Sequence, residues 1–170
     1  MKKGLFIIAI LALGIFAASL MAQTPTFVGS AKCKICHNTE KQGQQYPIWE
    51  KSNHSKSFAA LSSPGAAANA TALGVKDPTT DAKCLKCHAP LAGELKAEGV
   101  GCEVCHGAGS AYKSLNVMKV KDDAVKAGLV LYANADAIKA KCLTCHLDAH
   151  GKTFDLAAQW AKIKHTVPAK

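Results

Sequence analysis

The chain of 170 residues contains no arginine. All 21 of its basic residues are lysine, set against 12 Asp and Glu, for a formal charge of +9. A basic excess ordinarily raises nucleic acid as a partner, but guanine and phosphate are read best by forked guanidinium groups, and none is present. Aromatic residues make up only 6%, too few to fill a conventional core. Low aromatic content beside eight cysteines indicates that something other than side chains occupies the interior. No stretch alternates convincingly as a strand. The length allows one domain and excludes a large enzyme fold.

The one long hydrophobic run stands at the start. Met1-Lys2-Lys3 is a short positive segment, Gly4 to Leu20 is uncharged, and Ala22 offers a small residue before Gln23. This reads as a secretory signal peptide, residues 1–22, removed by cleavage. At about 17 residues the run sits at the short edge of a membrane span. The first cysteine beyond it is Cys33, so no lipid acceptor lies near the cut. Residues 23–170 are expected in the periplasm, with no stable membrane anchor after cleavage, in a compartment that permits oxidised thiols.

All eight cysteines fall in four copies of one motif, C-x-x-C-H: Cys33 and Cys36 with His37, Cys84 and Cys87 with His88, Cys102 and Cys105 with His106, Cys142 and Cys145 with His146. Two thiols three positions apart on one helical turn reach the two vinyl groups of a haem and form thioethers. The adjacent histidine then meets the iron from the proximal side. Paired C-x-x-C units also bind structural zinc or form redox disulfides, but neither explains a histidine after every pair. The expectation is four covalently bound haem c groups. Loss of Lys2 and Lys3 lowers the charge to +7, and each ferric haem with its propionates contributes roughly −1, leaving about +3. The lysines are then largely counter-charge, and a few near a haem edge would steer an acidic redox protein.

Second axial ligands follow by subtraction. Seven histidines less four leave His54, His150 and His165, and the cleaved chain keeps one methionine, Met118. Low-spin transfer haems take His or Met on the distal side. His54 lies in a stretch from Tyr46 to Leu61, where Pro47 suits a first helical turn and Phe58 and Leu61 fall at i+4 and i+7 from the histidine, on one buried face. His165 ends a second amphipathic stretch from Phe154, with Pro168 beyond it as a stop. His150 follows His146 by four residues beside Gly151, and a methionine such as Met118 is more often a packing residue than a ligand.

Elsewhere, residues 62–83 are rich in Ala, Gly, Pro and Thr and read as a long loop. Asp122 to Leu129 and Asp136 to Cys142 read as short helices. The fold class expected is mostly α with long loops, a small multihaem cytochrome wrapped around its haems. Four haems on 148 residues is about one per 37, so porphyrin must supply much of the buried apolar surface.

The order of features resembles multihaem cytochromes of the cytochrome c-554 family. The pieces that carry the likeness are Trp49-x-x-Ser52-x-His54, the run Gly101-Cys102-Glu103-Val104-Cys105-His106-Gly107-Ala108-Gly109-Ser110, and Lys162-Ile163-Lys164-His165 with Pro168. The resemblance implies a helical haem-wrapped fold with close haem pairs, periplasmic electron transfer, and His54 and His165 as distal ligands to haems other than the nearest in sequence. Many relatives carry a histidine shortly after the Gly-x-Gly-Ser segment, where Tyr112 stands here. One haem, taken as the first, therefore has Met118, His150 or no sixth ligand.

Three functions suit these features. The leading one is an electron carrier between redox proteins of a respiratory chain: a quinol-oxidising complex, a terminal reductase or other cytochromes. The second is an enzyme reducing a small nitrogen oxide or peroxide at an open haem, with Tyr112 or a lysine as donor. The third is a subunit of a haem filament, in which a neighbouring chain completes the open site.

Overall fold

The computed structural model describes residues 24–91, 93–147, 151 and 153–165. The expected signal segment, His150 and Pro168 lie outside the described residues. Ten α-helices are found among the described residues, and no strand. They are α1 Ala31–Lys34, α2 Gln45–Lys51, α3 Ser57–Ala60, α4 Pro64–Ala72, α5 Ala82–His88, α6 Cys102–His106, α7 Leu115–Met118, α8 Lys121–Lys126, α9 Ala135–Cys142 and α10 Leu156–Ile163. Two 3₁₀ turns, Glu40–Gln42 and Gly93–Glu98, complete the set. Helices this short are marginal in isolation, so their stability must come from what they pack on.

Local chemistry explains most of the boundaries. Asp81, Asn134 and Asp155 cap α5, α9 and α10, accepting from the amides of Lys83, Ala137 and Ala158. Two expectations need correction. Residues 62–83 are not one long loop, because α4 occupies Pro64–Ala72 with Ser63 as its cap and Pro64 in its first turn. Alanine fills five of its nine positions, and alanine's helix propensity outweighs the flanking turn residues. The stretch from Tyr46 to Leu61 is not one helix either. Ser52 leaves α2 with ψ 165°, donates its hydroxyl to Trp49 O at 2.7 Å and accepts the His54 amide at 3.2 Å. Such local bonds compete with the helix ladder. His54 therefore sits in a turn between α2 and α3, half-buried, instead of on a shared helical face.

The polypeptide supplies little core of its own. Buried apolar residues are Leu61, Ala70, Val75, Ala89, Leu91, Tyr112 and Ala124, three of them alanine. The largest fully buried side chain among the described residues is Glu103. Helices α7 and α8 pack together, α3 lies against α5 and the second 3₁₀ turn, and α10 reaches α2. A domain of this size ordinarily buries many large hydrocarbon side chains, and this one is organised around its four motifs.

Candidate functional site

Each motif holds its sulfurs and imidazole on one helical turn. The second and third lie wholly within α5 and α6. The first and fourth run past the ends of α1 and α9, yet the turn persists: His37 N bonds Cys33 O at 3.0 Å and His146 N bonds Cys142 O at 3.0 Å. None of the eight cysteines is in a disulfide.

Hydrogen bonds at Nδ1 set the orientation of three motif histidines. His37 bonds Gln45 Oε1 at 3.2 Å, His88 bonds Ser57 O at 2.9 Å and His106 bonds Val130 O at 3.0 Å. An Nδ1–H given to an oxygen fixes the tautomer in which Nε2 keeps its lone pair for a metal. His146 is held by stacking on Phe154, with ring centroids 4.3 Å apart and planes within 16°.

Two histidines from outside the motifs face two within them. The His54 and His146 rings are 6.1 Å apart at 48°, and the His165 and His106 rings are 5.9 Å apart at 56°. Imidazoles on opposite sides of one iron need centroids about 6 Å apart, from two bonds of about 2 Å and two ring half-widths. The Nδ1 of His165 bonds Ile163 O at 3.2 Å, which leaves Nε2 its lone pair. Burial lowers the pKa of His54, and His146 lowers it further. Burial also lowers His146. At His165 desolvation lowers the pKa against the raising effect of the Ile163 carbonyl, with His106 and His37 adding to the lowering. All three shifts favour the neutral, ligating form.

The motifs gather in two clusters. The Cys33 thiol hydrogen-bonds the Cys102 sulfur, whose pKa falls to about 7 chiefly for that reason. That contact, with His37, His106 and His165, joins the first and third motifs. Cys87 meets Cys145, its sulfur 4.0 Å from Cys145 O. His54 completes this second group through Ser57, whose hydroxyl lies 2.8 Å from His54 O and 2.7 Å from His88 O. The clusters touch where Tyr132 donates to Cys105 O at 2.7 Å; burial, with smaller contributions from Cys105 and Cys142 beside it, pushes its phenol up to about 12. Among the described residues no three His, Cys, Asp or Glu converge as a bare-metal site.

Other sequence candidates are placed differently. Met118 ends α7, and no hydrogen bond or ring contact among the described residues joins its side chain to a motif histidine. Tyr112 is buried and donates its hydroxyl to Gly107 O at 2.8 Å, so it braces the loop after the third motif. The sequence reading missed Ser57, Ser30, Glu98 and Glu103. Ser57 accepts the Val100 amide at 3.1 Å, which ties the His54 turn to the approach of the third motif. A charged residue inside a C-x-x-C-H repeat, followed by Gly109, was the available signal for Glu103.

The residues fit covalent haem: paired sulfurs on one turn, an oriented imidazole beside each pair, and two facing imidazoles at bridging distance. The family model for cytochrome c554 and c-prime matches residues 32–107. Cytochrome c-554 of Nitrosomonas europaea is 27% identical over 160 residues, covering 80% of this chain. The match covers 63% of that relative's length. No solved structure matches the chain. No helix among the described residues is long and apolar enough to cross a membrane.

Proposed function

We propose that this chain, a member of the cytochrome c554 family, is a periplasmic tetrahaem electron carrier. The observation that carries the reading is the pair of facing imidazoles, His54 with His146 and His165 with His106. Each joins a motif histidine to a histidine far away in sequence. Bound haem supplies a reversible one-electron couple at iron, and everything else is the work of the chain. The cysteines attach, and the Nδ1 bonds of His37, His88 and His106 hold each proximal ring in register and raise its basicity. His54 and His165 cap the fourth and third sites and exclude small ligands. His150 and Met118 are the remaining candidates for the other two.

The contacts support a route of first, third, fourth and second motif. Cys33 adjoins Cys102, Cys105 adjoins Cys142 through Tyr132, and Cys145 adjoins Cys87. Electrons entering at one end would leave at the other, and exposed lysines would orient an acidic redox protein at either end. The enzyme reading finds no support in Tyr112, whose hydroxyl is committed to Gly107 O.

Mass spectrometry of protein made in a host that attaches c-type haem should show four haems on residues 23–170. A titration should show four one-electron steps. Fewer than four haems, or zinc in their place, would overturn the proposal.

A further inference from the structure

Glu103, inside the third motif, is 2% exposed. Its oxygens accept the Val28 amide at 2.9 and 3.0 Å, the Gly29 amide at 2.7 Å and the Gly109 amide at 2.6 Å. A Cβ at position 109 would lie 2.9 Å from Glu103 Oε1, so glycine is what lets that amide approach. Amides only donate, and the lone pairs they require are those of the ionised carboxylate. No cation pairs with Glu103 among the described residues, where the ion pair found is Lys34 with Glu50. The carboxylate is thus solvated by amide dipoles and its charge is left uncancelled.

A second acid repeats the arrangement beside it. Glu98 Oε2 accepts the Ser30 amide at 2.8 Å, while its Oε1 is enclosed without a partner. Ser30, fully buried, accepts the Cys102 amide at 3.0 Å through its hydroxyl. Two carboxylates therefore hold the three successive amides of residues 28–30, next to the contact of Cys33 with Cys102. Around Cys87 and Cys145 no buried carboxylate occurs among the described residues.

We infer that Glu103 positions residues 28–30 so that the first and third motifs meet, and lowers the reduction potentials of the two haems those motifs carry. The inference rests on the haem-bearing reading above. Each step adds one electron to one iron and makes or breaks no bond, so a fixed neighbouring negative charge opposes it by its Coulomb energy. Among the described residues the second and fourth motifs have no such neighbour, and their haems should not respond.

The test is a redox titration, followed by electron paramagnetic resonance, of the holoprotein and its Glu103→Gln and Glu98→Gln variants. Sodium dithionite supplies the electrons, and haem content is checked first by mass. In Glu103→Gln two of the four steps should become more favourable by about tenfold, or about 59 mV, and two should stay fixed. One mover should be the signal altered by His165→Ala. If Glu103→Gln fails to accumulate, Glu98→Gln, which removes the charge and keeps an oxygen for the Ser30 amide, should raise the same two steps. Unchanged potentials, or an equal shift of all four with haem content intact, would overturn the inference. A wild-type chain without haem would instead overturn the reading on which it rests.

Discussion

His54→Ala isolates the central geometric claim. The 6.1 Å between the rings of His54 and His146 places a shared iron about 3 Å from each centroid. Truncation to a methyl would leave the nearest atom of residue 54 about 5–6 Å from that point, against a bond length of about 2 Å. The change removes one ligand from one of four irons. The oxidised variant should therefore gain one high-spin signal, and the reduced variant should bind one more carbon monoxide per chain than wild type. His165→Ala should do the same at the third site, 5.9 Å from His106. Because the two pairs lie in separate clusters, the double variant should bind two more. His54→Met should restore a six-coordinate, low-spin iron at a higher potential. No gain in carbon monoxide by either single variant, or a gain of two by one of them, would refute the assignment.

Three further outcomes follow from contacts around these rings. Ser57→Ala removes the weaker of the two acceptors of the Val100 amide, which keeps His54 O at 2.9 Å, and the hydroxyl between His54 O and His88 O; it should cost about 1–2 kcal/mol in a denaturant titration of the holoprotein, and a loss below about 0.5 kcal/mol would mean that Ser57 does not hold the two segments together. Gly99→Ala, at φ +69° with its new Cβ against His54 O and Ser57, should displace the His54 turn and reproduce part of the His54→Ala carbon monoxide binding, with the imidazole still present. Phe154→Leu frees the ring stacked on His146; one low-spin resonance should change its g-values and the other three should hold, whereas a general change would argue against local stacking.

The attachment chemistry was legible in the sequence because it is local. A motif that must present two sulfurs and an imidazole on one turn can be read from five consecutive letters, and subtraction then leaves His54, His150 and His165; the described residues place the first and the last of these against motif histidines. Their partners were not legible, since pairing depends on chain reversals that no spacing encodes: His54 faces a histidine 92 positions later. Helices Lys121–Lys126, Ala135–Cys142 and Leu156–Ile163 emerge close to the positions read from periodicity. The stretch around His54 misled because Ser52 and Ser55 spend their hydroxyls on backbone carbonyls and break a register the apolar residues continue. Alanine-rich α4 was hidden by its Gly, Pro and Thr neighbours, although Ser63-Pro64 is a strong helix start. Glu103 escaped notice because a buried carboxylate bound by amides has no sequence period at all.

The early histidine faces the last motif, and the last described histidine faces the third. Neither cluster can close from a contiguous half of the chain. A ribosome that has delivered the first three motifs has still delivered neither finished imidazole pair. Contacts of such long sequence separation slow folding and leave the nascent chain open. Interlacing of this kind leaves the pair of His106 with His165 open until helix α10 and the residue that faces His106 have been made.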